Sequence, residues 1–174
     1  MRTTRPLLRA LTLAGLLIAA PAAAPAVMAA PADVALLKSY IGEWRGRGTV
    51  TGDQSETVVC RLQLREGNSD KVNYSGRCAI AGTNLSVNGT LAYIDELGRY
   101  EAAMTSNASF SGIAVGQKRG NSLVFNLRER ERSEGEDVTI TAQIALNGGS
   151  ISVEFQVVYE SSGDVIRANV PFSK

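Results

Sequence analysis

Two cysteines, Cys60 and Cys78, are the residues in this sequence whose type and spacing point most directly to a reaction. A pair of thiols can close a disulfide, cycle as a redox dithiol, or supply half of a tetrahedral metal site. The redox option calls for a C-x-x-C spacing and the metal option for a third ligand, and the sequence offers neither. The pair therefore reads as a structural disulfide. Histidine is absent altogether. Its absence removes His-based acid–base catalysis, Ser-His-Asp and Cys-His nucleophile pairs, His-ligated haem and nearly all catalytic zinc sites. The acids Asp53, Glu56, Asp95, Glu96 and Asp164 all sit beside turn sequences, and turn chemistry explains them without catalysis. No phosphate-binding loop or nucleophile elbow is found. The expectation is a protein that is not an enzyme, with no metal and no cofactor.

A disulfide needs an oxidising compartment, and the N-terminus supplies the route to one. Arg2, Arg5 and Arg9 make a positive segment, and residues 10–20 follow as an apolar run of 11. That length suits a secretory signal and falls short of the roughly 20 residues of a membrane-spanning helix. Cleavage after Ala29 places Val27 and Ala29 at the two positions where short side chains are required. The expected organisation is a cleaved signal over residues 1–29 and one domain over 30–174, exported to the periplasm or secreted. No cysteine near the cut invites acylation. Removing the signal takes away three arginines and no acid, leaving 15 basic against 17 acidic residues. A nearly neutral mature chain argues against nucleic acid as a partner.

The elements that position these residues are strands. From about Thr49 onward the dominant hydrophobic period is two. Ten strands are predicted, over 44–51, 56–66, 71–80, 84–93, 99–106, 110–118, 122–131, 136–146, 150–160 and 164–172. Short turn sequences such as Gly82-Thr83 and Asn147-Gly148-Gly149 separate them, too short for parallel crossovers. A single helix is expected over Asp33–Ile41, with Asp33 as its N-cap and Val34, Leu37 and Ile41 on one stripe. Strand after strand carries one apolar and one polar face; Val138, Ile140, Ala142, Ile144 and Leu146 oppose Asp137, Thr139, Thr141 and Gln143. With so little helix to cover the dry face, the sheet must close on itself. The predicted fold is an all-β, roughly ten-stranded antiparallel up-and-down barrel with a short N-terminal helix.

The cysteines fix one register. If Cys60 faces Cys78 in a hairpin, Leu64 meets Tyr74, Glu66 meets Val72, and the turn centres on Ser69 inside Gly67-Asn68-Ser69-Asp70-Lys71. The turn sequence thus lies where the disulfide requires it. Further on, Arg128-Glu129-Arg130-Glu131-Arg132 reads as a solvated hairpin of alternating charge.

The segment Ile41-Gly42-Glu43-Trp44, a short helix leading into Gly-x-Trp at the first strand, resembles the entry of the calycin superfamily. Lipocalins, fatty-acid-binding proteins and nitrobindin-like barrels share it. The resemblance implies that Trp44 closes one barrel end and that a late-strand arginine, here Arg167, packs on it. A nitrobindin-like haem role is excluded by the missing histidine. The functional expectation is an exported non-enzymatic binding protein for a small apolar or amphipathic ligand. Its predicted lining is Tyr74, Tyr93, Tyr100, Phe110, Gly112, Phe125, Phe155 and Tyr159, where large rings alternate with small residues such as Gly76, Gly89, Gly112 and Gly116. The competing packing has these glycines marking strand bends in a barrel whose middle is filled. The alternative function is a protein-interaction module, such as the small periplasmic protease-inhibitor barrels that also tie an early hairpin with a disulfide. Stable membrane insertion is not expected, since an apolar outer face would turn the disulfide toward lipid.

Overall fold

The computed structural model describes residues 31–174 apart from Ser109 and Glu134. The expected signal and its cut after Ala29 lie outside the described residues. A helix, α1 (Pro31–Lys38), leads into ten strands. These are β1 (Gly42–Thr51), β2 (Ser55–Glu66), β3 (Val72–Ile80), β4 (Thr83–Ile94), β5 (Arg99–Ser106), β6 (Ser111–Arg119), β7 (Ser122–Ser133), β8 (Glu136–Asn147), β9 (Ser150–Tyr159) and β10 (Val165–Ser173). Each strand pairs antiparallel with its chain neighbour, and β10 returns to pair with β1, so the sheet closes into a barrel. Closure removes both free edges, which an open ten-stranded sheet would expose. No helix among the described residues is long and apolar enough to cross a membrane.

The hairpin register follows the cysteines. Cys60 pairs with Cys78, Leu64 with Tyr74 and Glu66 with Val72. The disulfide forms between them with the Cα atoms 4.0 Å apart. Ser69 and Asp70 adopt positive φ in the turn, which Gly67 and Lys71 close by a backbone bond of 2.8 Å. At the next turn Ala81 and Gly82 both have positive φ, as a two-residue connection between right-twisted strands requires.

The helix begins and ends earlier than expected. Asp33 lies in its first turn rather than at the cap, and Ile41 follows the helix. The reason is tertiary: the Asp33 carboxylate accepts a 2.6 Å bond from the Tyr100 hydroxyl and a 3.2 Å bond from Lys118 Nζ, tying the helix start to β5 and β6. Lys38, in the last turn, pairs with Glu66 and Asp70 of the β2–β3 hairpin. Between these ties Val34 and Leu37 are buried against the barrel.

Candidate functional site

The barrel has two unlike ends. At the helix end most inward side chains are fully buried. Trp44, Tyr100, Leu123, Phe125, Leu146 and Ile151 are all at most 2% exposed. Tyr40, just past the helix, is locked among them. Its hydroxyl donates to the Leu146 carbonyl at 2.9 Å and accepts from the Gly148 N–H at 3.1 Å. The Trp44 indole N–H donates to the Tyr40 carbonyl at 3.0 Å, so the Gly-x-Trp entry and the helix are fastened to each other. Tyr93, Tyr100 and Phe125 form an edge-to-face chain with ring centroids 5.0 and 6.5 Å apart. Such contacts add about 0.5–1.5 kcal/mol each beyond their burial. These three rings, expected to line a cavity, pack at the helix end as the floor of the barrel interior, Tyr93 half-buried and the other two buried.

Toward the other end burial is uneven: Val58, Cys60, Leu127, Val138 and Ile140 are at most 7% exposed, while other inward-facing chains pack against this core yet remain half-buried. The latter include Val50, Tyr74, Ile80 and Val87, with Phe110, Ile144, Val153, Phe155, Val157 and Tyr159 on the later strands. The result is a mostly apolar wall that still meets solvent, with Glu129 and Glu131 of β7 on the same face. Of the predicted lining, Tyr74, Phe110, Gly112, Phe155 and Tyr159 belong to this wall. Val87, Ile144, Val153 and Val157 belong with them and were not predicted. Their signal was present in the strand alternation, but aromatic rings and glycines drew the prediction toward themselves.

Several glycines do not leave the space that the sequence pattern suggests. A Cβ on Gly116 would stand 2.6 Å from the Phe125 ring, and one on Gly46 2.7 Å from the Phe172 ring. On Gly89 it would collide with the Ala103 carbonyl oxygen and the Tyr74 hydroxyl, and on Gly112 it would meet the Leu127 side chain at 2.9 Å. A larger side chain from a neighbouring strand lies over each of these glycines. Gly76 differs, since its Cβ would come no nearer than 3.7 Å to Leu62. Two outer concavities of about 650 and 570 Å³ lie across β7–β10 with β1 and across β4–β6; they are lined mainly by outward residues such as Gln143, Asn169, Thr105 and Ile113.

The tyrosines divide by chemistry. Burial pushes the Tyr74 phenol well above its ordinary pKa, and its hydroxyl donates to the Ala103 carbonyl at 3.1 Å. Burial, then the bond to Asp33, does the same for Tyr100. Both stay neutral donors whose hydrogens are already committed. Tyr159, on the wall near the β9 end, makes no side-chain hydrogen bond among the described residues. Its hydroxyl is therefore available to orient a polar group.

Arg167 does not pack on Trp44. It is exposed on the outer face opposite Thr51, at the far end of β1 from Trp44. The alternation with inward Ile166 and Ala168 turns it out, and the cation over the Trp44 ring is Lys174 Nζ, 4.8 Å from the centroid. The charged hairpin is sorted by the same alternation. Arg128, Arg130 and Arg132 are exposed, while Glu129 and Glu131 are half-buried on the Leu127 side of β7. Glu129 approaches Gly112, with its Cγ 3.3 Å from the position of a Cβ there.

No protein-family model matches the chain, and no curated protein is similar to it in sequence. Among solved structures it is similar to the crystal structure of Rv2717c from M. tuberculosis, with a TM-score of 0.65 and 14% identity, covering 81% of this chain and 96% of that one. More distant similarities are to CPES, an S-type phycobiliprotein lyase from Guillardia theta (TM-score 0.46, 9% identity, 79% of this chain and 89% of that one), and to mFAP0, a redesigned β-barrel bound to DFHBI (TM-score 0.42, 12% identity, 80% and 99%). The likeness to Rv2717c is one of fold: the two chains share the barrel architecture at 14% identity.

Proposed function

We propose that this protein is an exported, non-enzymatic, calycin-like carrier that takes a small apolar or amphipathic ligand against the half-buried wall of its barrel. The observation that carries the reading is a stretch of mostly apolar wall, formed by Phe155, Val157, Val87 and Tyr74, that is incompletely covered above a floor sealed by Trp44, Tyr100 and Phe125. Apolar surface left in contact with water gains roughly 25 cal/mol for each Å² that a ligand covers. Tyr159 supplies the polar handle that fixes the orientation of an amphipathic guest. Export is supported by the Cys60–Cys78 disulfide, which persists in oxidising compartments.

The test is binding of an environment-sensitive apolar dye to the folded mature chain, followed by displacement with a fatty acid. The expected result is saturable one-to-one binding, weakened by Gly76→Leu, which fills the wall, and by Phe155→Ala, which removes part of it. Tyr159→Phe is expected to weaken amphipathic competitors more than purely apolar ones. Folded protein that binds no dye, or binding indifferent to both wall variants, would overturn the carrier reading.

A further inference from the structure

Five arginines project from the outer face of β1–β3: Arg45, Arg47, Arg61, Arg65 and Arg77, all exposed. The register sets three of them side by side, with Arg45 opposite Arg61 and Arg61 opposite Arg77. Neighbouring strands lie about 4.8 Å apart, so the three Cα atoms span about 10 Å, and the positions of Arg47 and Arg65 extend the strip along the strands. Like charges directly opposite one another destabilise a sheet. None of the five makes an ion pair or a side-chain hydrogen bond among the described residues. Glu43 is the one acid at the outward positions of these three strands, and its carboxylate accepts from Gln63 at 3.2 Å.

A stacked rung of uncompensated positive charge calls for an anion supplied from outside. The shape of the strip indicates which kind. It is a broad patch of sheet, flanked by short neutral side chains such as Ser75, Ala79 and Thr57. A stable protein interface centres on a desolvated core of aromatic and apolar anchors that arginine joins rather than replaces. Here the exposed large apolar side chain is Val59 alone. The array is also wider than one small anion needs. Guanidinium, rather than ammonium, matches phosphate through paired N–H donors.

We propose that this strip docks the protein on an anionic phospholipid surface, with the arginines meeting headgroup phosphates while the barrel stays outside the bilayer. Docking on the side of the barrel leaves the wall chains of β8 and β9 facing their own lumen.

The test is co-sedimentation of the mature chain with vesicles of phosphatidylcholine alone and of phosphatidylcholine mixed with phosphatidylglycerol. Binding is expected only to the mixed vesicles and is expected to weaken with salt. A basic residue at such a surface is worth about fivefold in partitioning, so Arg61→Gln is expected to weaken binding about fivefold and Arg45→Gln/Arg61→Gln/Arg77→Gln on the order of a hundredfold. Arg61 sits between two like charges, so its removal is expected to hold or raise Tm, separating lost docking from lost folding. The matched variant Arg128→Gln/Arg130→Gln/Arg132→Gln changes net charge equally on another face and is expected to keep most of the binding. Equal loss in that control, equal binding to neutral vesicles, or no binding at all would each overturn the proposal. So would Arg61-dependent binding of polyglutamate with the vesicles ignored, which would make the strip a dock for an acidic protein.

Discussion

The contrast between Gly116 and Gly76 gives the sharpest test of a barrel packed at one end and open along its wall. Gly116 lies between Tyr100 and Phe125 in the ladder. A methyl group there would stand 2.6 Å from two atoms of the Phe125 ring and 2.8 Å from the Tyr100 Cβ. Phe125 is fully buried and Tyr100 is 2% exposed, so neither has room to retreat. Overpacking of this kind costs about 1–3 kcal/mol. Gly76 also faces inward, but the nearest atoms to its Cβ are 3.7 and 3.8 Å away, ordinary contact distances. There the reduced freedom of the unfolded chain dominates, and alanine stabilises by about 0.4–1 kcal/mol. For a domain of this size one kcal/mol moves Tm by about 3 °C. Gly116→Ala is thus expected to lower Tm by roughly 3–9 °C, and Gly76→Ala to raise it by roughly 1–3 °C. Thermal unfolding by circular dichroism, with denaturant midpoints as a second measure, reads both. The reasoning fails if Gly116→Ala matches the parent protein, because the floor would then have slack, or if Gly76→Ala is destabilised, because the wall would then be closed.

Two further outcomes follow from the covalent and electrostatic ties. Cys60→Ser releases a loop with a sequence separation of 18 and is expected to cost about 3 kcal/mol while exposing one thiol at Cys78; two alkylatable thiols in the native protein would contradict the disulfide. The Tyr100 hydrogen bond, helped by Lys118, holds the Asp33 carboxyl below its ordinary pKa of 3.8. A depressed folded pKa contributes stability above the unfolded value and loses it as pH falls through the folded one. Tm is therefore expected to drop below about pH 3.8 as the helix start loosens, with a shallower drop in Asp33→Asn, whose stability is already lower at neutral pH. An identical acid limb in the two proteins, measured by Tm against pH, would remove Asp33 from that role.

Much of the fold is readable in the chain because a strand repeats every two residues and each hairpin is local. Cys60 and Cys78 fix one register absolutely, and the positions of the turn sequences fix most of the others. The pairing that closes the barrel, β1 with β10, joins opposite ends of the chain. It depends on accumulated twist rather than on any local signal. Arg167 shows a different limit. A superfamily resemblance points it at Trp44, whereas its own alternation with Ile166 and Ala168 turns it to solvent. The arginine strip was legible but unread: the register that aligns Cys60 with Cys78 also aligns Arg61 with Arg77. The glycines resist sequence reading for a physical reason. A missing side chain leaves space only if no neighbour reaches into it, and that depends on the ring of the directly paired residue, Tyr74 for Gly89 and Phe125 for Gly116.

The proposed carrier role is compatible with the stability of the barrel. Burying a large apolar side chain contributes about 1.5–3 kcal/mol, and the floor buries many, including Trp44, Leu64, Leu123, Phe125, Leu146 and Ile151. Tyr40 ties that floor to the β8–β9 turn, and the disulfide braces the β2–β3 pair on the side of the barrel. With that burial in place, together with Val58, Val138 and Ile140 nearer the other end, Phe155, Val157 and Tyr159 need not pack completely for the fold to hold. Hydrophobic energy that folding has left unused on the wall is available to a guest. A guest that reaches the wall by covering Phe155 and Val157 would also raise Tm, because it binds the folded chain and not the unfolded one. The arginine strip acts on a different surface and through charge alone, so salt should weaken docking while leaving occupancy of the wall intact. Measuring dye binding and vesicle binding across the same salt series separates the two: parallel loss would mean that a single charged surface governs both, and the wall would no longer be needed to explain either.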